Sequence, residues 1–128
     1  MNVLLDTHVA LWTITDSPRL TVQTRAMIED PDTTLWISAA TLWEIAIKHS
    51  LGRGDMPIDA REALDYFLAS GFSMLPISAR HAVAVGSLPP HHHDPFDRIL
   101  IAQAFTEPMV LITHDAKILQ YSNIFVAA

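Results

Sequence analysis

Asn2-Val3-Leu4-Leu5-Asp6 opens the chain with a short apolar run stopped by an acid, and Met109-Val110-Leu111-Ile112-Thr113-His114-Asp115 repeats the pattern near its end. Runs this short and this apolar read as strands buried on both faces, the habit of parallel sheets covered by helices. In such sheets ligands sit beyond the carboxyl ends of the strands, where strand order reverses. Asp6 and Asp115 therefore fall where chemistry is expected, and both should face the same edge.

The sequence between these runs alternates helical and strand patterns. Ser17-Pro18 offers an N-cap and a first-turn proline for a helix ending near Glu29, and Asp30-Pro31-Asp32 turns the chain. Residues 33–38 are β-branched and aromatic and read as a second strand, after which Ser38 can cap a helix over 39–50 closed by Gly52 and Gly54. A helix over 59–70 ends at Gly71, a short strand fits 74–77, and Ser78 caps a helix running to about Ser87. Pro89-Pro90-His91-His92-His93 is a rigid connector into a helix that Asp94-Pro95 opens and that reaches about Glu107. Residues 115–120 allow one or two helical turns, and 124–126 a last strand. The alternation predicts a three-layer α/β/α arrangement around a mostly parallel sheet with right-handed crossovers.

Composition narrows the function. At 128 residues, half of them hydrophobic, the chain is expected to form one domain over 1–128 with a large core. Its net charge of −6 gives no whole-protein attraction to nucleic acid, so any such binding must be local. The absence of cysteine excludes disulfides, thiolate catalysis and cysteine metal sites. The opening run carries Asp6 and His8 and lacks a basic leader region, and no uncharged stretch approaches membrane-spanning length, so a cytoplasmic protein without a membrane anchor is expected.

Two further acids stand out. Glu44 lies in the apolar helical segment Thr41-Leu42-Trp43-Glu44-Ile45-Ala46-Ile47, where a charge needs exposure or a cation, and Asp97 leads into Ile99-Leu100-Ile101-Ala102. Asp6, Glu44, Asp97 and Asp115 brought together would repel one another, and a divalent cation is the natural counter-charge. All-oxygen ligation suits Mg²⁺ or Mn²⁺, with a second ion arriving with substrate to neutralise the cluster fully. Each acid also has a local reading: Asp94 and Asp115 as N-caps, Asp97 as the N3 partner of a capping box, Glu44 as a solvated helix residue, Asp6 as the start of a turn. Thr7, Ser38 and Thr113 sit beside these acids and can bond carboxylates or serve as local caps.

Leu4-Leu5-Asp6-Thr7-His8, Trp43-Glu44-Ile45-Ala46-Ile47-Lys48, His93-Asp94-Pro95-Phe96-Asp97-Arg98 and Thr113-His114-Asp115, in this order and spacing, resemble the blocks of the VapC branch of PIN-domain proteins along nearly the whole chain. The resemblance implies a PIN fold with a central five-stranded sheet and the activity of an endoribonuclease toxin of a type II toxin-antitoxin system. It implies Asp6, Glu44, Asp97 and Asp115 as the catalytic metal-binding quartet, with Thr7, Asp94, Arg98 and Thr113 as supporting candidates. The reaction implied is hydrolysis of an RNA phosphodiester, transfer RNA being one possible substrate, by metal-activated water without a covalent intermediate. A small antitoxin partner is implied as well, in a homodimer or a toxin-antitoxin hetero-oligomer.

Rival readings compete with this one. A receiver-like signalling domain shares the architecture but needs paired acids after the first strand and an acceptor Asp after the third, where this chain has Asp6-Thr7 and Ile77-Ser78. A catalytically silent binding module is the other alternative. The run His91–His93 invites a zinc site, against a structural loop that brings one histidine near the acids. Lys48, Arg53, Arg80 and Arg98 can rim a substrate site or be solvated, and Trp12 and Trp43 read as core or partner-interface residues.

Overall fold

Strand β1 (Asn2–Leu5) lies at the centre of the sheet because all of its residues after Asn2 are buried, Val3 and Leu5 toward one face and Leu4 toward the other. This computed structural model describes residues 1–128. On one side β1 pairs in parallel with β2 (Thr34–Ser38), and on the other with β4 (Val110–Thr113), with Leu4 opposite both Trp36 and Leu111. β3 (Ser73–Leu75) extends the sheet beyond β2, and β5 (Val126–Ala127) beyond β4. The order β3-β2-β1-β4-β5 is parallel throughout. Strand order therefore reverses between β1 and β4, and the crevice there opens at the carboxyl ends that lead into Asp6 and Asp115.

Helices cover both faces. Val3, Leu5, Leu35, Ile37 and Ile112 pack against Val9, Ala10 and Leu11 of α1 (Thr7–Thr15), Ile45 of α3 (Ala39–Ser50), and Ala63 and Phe67 of α4 (Ala60–Ala69). Leu4, Leu75 and Leu111 pack on the opposite face against Leu100, Ile101 and Ala104 of α6 (Pro95–Thr106) and Ile118 of α7 (Ala116–Leu119). The period-two alternation of strand side chains feeds two apolar clusters, and both are shielded from water. Helices α2 (Val22–Glu29) and α5 (Ala79–Val85) complete the seven.

The first helix corrects the sequence reading. Thr7-His8-Val9-Ala10-Leu11-Trp12-Thr13-Ile14-Thr15 is rich in β-branched residues and shows no clean polar face, so it signals no helix. It forms one because Asp6 Oδ1 accepts the Val9 amide at 2.9 Å and the helix is buried along Val9–Leu11. Ser17 is consequently not an N-cap: its amide bonds to the Trp12 carbonyl at 3.0 Å, behind Asp16 in the left-handed conformation. The next helix starts later, at Val22, capped by Thr21. The other expected elements form within a few residues of their predicted ends, with Ser38, Asp59, Ser78, Asp94 and Asp115 as side-chain N-caps.

Candidate metal centre

At the β1/β4 crevice a cavity of about 130 Å³ is lined by Asp6, Thr7, His8, Glu44, Lys48, Asp94, Asp97, His114 and Asp115, with no apolar side chain among them. Five carboxylates thus face one ammonium. Local caps and site chemistry use different oxygens of the same residues. Asp6 caps α1 with Oδ1, while Oδ2 accepts the Thr113 hydroxyl at 2.5 Å and the His114 amide at 3.4 Å. Asp115 caps α7 with Oδ1, bonded to the Lys117 amide at 2.8 Å, and turns Oδ2 to His92.

Glu44 comes from the middle of α3 and is only 3% exposed, as is Asp6. Its Oε1 accepts the Thr7 hydroxyl at 2.6 Å, and its Oε2 pairs with Lys48 one turn later, the Lys48 ammonium lying near the Phe96 ring. Lys48 is therefore a partner of the cluster and not a solvated rim residue. Thr113 both donates to Asp6 and accepts the Asp115 amide at 3.0 Å, so the strand-end hydroxyl couples two of the acids. Ser38 serves only as the cap of α3.

The α6 entry supplies the remaining groups. Asp94 Oδ1 accepts the Asp97 amide at 3.0 Å, as an N-cap should. Asp97 does not return the bond as a capping-box partner would. Its carboxylate reaches His92 Nε2 at 2.8 Å, and the same nitrogen lies 3.1 Å from Asp115. Nothing in the histidine run singles out His92 as the residue that enters the acidic site: His91 packs on the Tyr121 ring and His93 is exposed.

Arg98 faces away from the acids. Its guanidinium donates to the carbonyls of Val85, Pro89 and His92 at 3.0, 3.3 and 3.0 Å and reaches the Tyr121 hydroxyl at 3.4 Å. Arg98 is thus neither a solvated surface residue nor a rim of the site but a clamp on the connector that carries His92. A single ammonium cannot reproduce this fork, so Arg98→Lys is expected to cost about 1–2 kcal/mol in thermal unfolding. Equal melting temperatures for variant and parent would count against the clamp.

Crowding perturbs two groups. Burial, reinforced by the charges of Asp94, Glu44 and Asp6 and partly offset by His92, pushes the Asp97 carboxyl up to about 7. The hydrogen bond to Asp6 holds the His114 imidazolium above the usual histidine range against some burial, with Asp6, Asp115 and Asp97 adding negative potential. The stabilisation from protonated His114 is present below about pH 6.5 and is lost as pH rises through its raised pKa.

An all-oxygen donor set, two nearly inaccessible carboxylates and a third that resists ionisation fit a hard divalent cation. His92 Nε2 and one oxygen each from Asp97 and Asp115 lie within 4.8 Å of one another, and Asp6 and Glu44 line the same cavity as those two acids.

A parallel α/β sheet with a carboxylate cluster at its switch point defines a protein with an acidic pocket suited to a hard divalent cation. The chain belongs to the PIN domain family, whose sequence model matches residues 3–124. The fold is similar to that of VapBC2 from Rickettsia felis, solved bound to a DNA fragment from its promoter, at TM-score 0.72 and 19% identity over 100% of this chain and 98% of that one. DNA-bound VapBC from Salmonella typhimurium gives 0.68 and 16% over 100% and 97%. A toxin-antitoxin complex from Klebsiella pneumoniae gives 0.63 and 20% over 97% and 95%. No curated protein sequence gives a significant match. No helix is long and apolar enough to cross a membrane.

Proposed function

We propose that the protein is a metal-dependent endoribonuclease, the VapC-like toxin of a type II toxin-antitoxin pair, formed by residues 1–128 as one domain. The observation that carries this reading is the meeting of Asp6, Glu44, Asp97 and Asp115 in one polar cavity at the β1/β4 crevice. PIN domains are typically Mg²⁺-dependent nucleases, and this donor set suits Mg²⁺ or Mn²⁺.

Asp6, Glu44, Asp97 and Asp115 would hold the ion, which would supply positive charge beside the phosphodiester and lower the pKa of an attacking water. Thr7 and Thr113 orient Glu44 and Asp6 by donating to one oxygen of each. Lys48 and His114 line the same cavity and are the basic groups within it, against a net charge of −6 for the whole chain. His114 is the best placed of them, since Asp6 helps it keep its proton. The substrate class is RNA, with transfer RNA the first species to examine.

An antitoxin partner fits a separate feature. Beside the acidic cavity an apolar groove of about 340 Å³ is walled by Trp43, Ile77, Val85 and Phe96, and Trp43 is 59% exposed. Several structural neighbours are VapBC or toxin-antitoxin complexes, which supports a partner segment covering this groove in a homodimeric or hetero-oligomeric assembly.

Purified protein incubated with total RNA is expected to give discrete products with Mg²⁺ or Mn²⁺ and none in EDTA. Cleavage that persists in EDTA, or none from protein freed of any co-purifying partner, would overturn the reading.

A further inference from the structure

We infer that His92 is a positioning residue of the metal centre: its imidazole accepts backbone amides at Nδ1, donates one N–H to Asp97 and Asp115 together, and does not itself ligate the ion. The inference rests on the nuclease reading above and deepens it.

The tautomer follows from hydrogen-bond bookkeeping around the ring. His92 Nδ1 receives the backbone amide of His93 at 3.0 Å and that of Asp94 at 3.4 Å. Amides only donate, so Nδ1 is the acceptor and carries no proton. In the neutral ring the hydrogen then sits on Nε2, where it faces Asp97 at 2.8 Å and Asp115 at 3.1 Å. Metal ligation through Nε2 would require the opposite tautomer, placing a hydrogen on Nδ1 against two amide hydrogens. The backbone turn into α6 therefore excludes His92 from ligation while it keeps this pose.

The shared N–H has a positional consequence. Asp97 comes from α6 and Asp115 from the end of β4, so nothing in the local chain fixes the distance between them. One donor bridging an oxygen of each fixes that spacing and reduces their repulsion. Each carboxylate retains its other oxygen; that of Asp115 caps α7, so Asp115 holds its orientation from both sides. The donor itself is immobilised at 11% side-chain exposure, with its own amide donating to the Tyr121 hydroxyl at 2.9 Å and its carbonyl accepting from Arg98 at 3.0 Å. This is the outer-shell arrangement that orients metal-binding carboxylates.

The test compares the full-length chain with His92→Ala and His92→Gln by calorimetric titration with Mn²⁺, alongside long-range ¹H–¹⁵N spectra of the imidazoles. Glutamine places an amide N–H close to the position of Nε2, so it restores the bridge without an imidazole. His92→Ala is expected to weaken Mn²⁺ binding about 10–100-fold, and His92→Gln to recover most of that loss. The parent should show the Nε2–H tautomer with and without Mg²⁺. Unchanged affinity in His92→Ala, equal losses in Ala and Gln, or a switch of the His92 ring to the Nδ1–H form on Mg²⁺ addition would overturn the inference while leaving the metal centre intact. Failure of the parent itself to bind Mn²⁺ would instead remove the nuclease reading and this inference with it.

Discussion

Asp97→Asn is expected to yield a protein that no longer cleaves RNA yet unfolds at a higher temperature than the parent at pH 7 in EDTA. The amide is nearly the same shape as the carboxylate and keeps an oxygen for His92, which stands 2.8 Å away. What it removes is a charge that burial and neighbouring acids disfavour strongly enough to push the carboxyl up to about 7. A carboxyl with a raised folded pKa contributes stability below its unfolded value of about 4 and loses it as pH climbs through the folded value. The metal-free parent should therefore weaken between about pH 4 and 7, whereas Asp97→Asn should not. Partial exposure and relaxation reduce the effect, so the gain at pH 7 is set at about 1–2 kcal/mol, or roughly 5 °C for a domain of this size.

Activity moves the other way. Loss of groups that only support metal ligands costs about 10–100-fold, so loss of a ligand charge should exceed 100-fold. Added Mg²⁺ should raise the melting temperature of the parent, most above pH 7 where Asp97 is ionised, and leave Asp97→Asn nearly unmoved. The measurements are melting temperature against pH, with EDTA and with Mg²⁺, and cleavage rate. A variant no more stable than the parent would mean that the acids are not strained in the metal-free state.

The sheet was legible because Val3–Leu5 and Val110–Thr113 are too apolar for anything but strands buried on both faces, and because each is followed at once by polar residues that end it. Their adjacency, which makes the crevice, follows from the acids at their ends more than from any pairing signal. Helix α1 escaped detection because its β-branched residues suit a strand equally well; burial decides between the two, and burial is a tertiary property. The same limit hid His92. Two prolines and an Asp-Pro step mark a fixed turn, but only the packing of α6 against β4 shows that the second of three histidines points at two acids.

For the acids, the local roles and the site roles are compatible. N-cap and site residue look like competing explanations in sequence, yet a carboxylate has two oxygens, and Asp6 and Asp115 use one for each purpose. Capping fixes the torsion angles of the side chain and so aims the second oxygen. A helix N-terminus immediately after a buried strand is thus an economical way to hold a ligand oxygen rigidly.

Two substitutions at Asp6 separate those purposes. Asp6→Asn and Asp6→Ala should both lose RNA cleavage by more than about 100-fold, since neither supplies a charged ligand. Their stabilities should differ. Asparagine caps as well as aspartate, so the Val9 amide, 2.9 Å from Asp6 Oδ1, keeps an acceptor in Asp6→Asn. Alanine leaves that amide without its acceptor, at about 1 kcal/mol. The fully buried Thr113 hydroxyl loses the Oδ2 acceptor in both variants, because asparagine has one oxygen and spends it on the cap. Asp6→Ala should consequently unfold about 1 kcal/mol below Asp6→Asn. In both variants the imidazole of His114 loses the partner that raises its pKa, so its titration followed by NMR should move down toward the ordinary histidine range. Equal stability of the two variants would remove the cap from the account of α1, and an unmoved His114 would show that its proton is held by Asp97 and Asp115 instead.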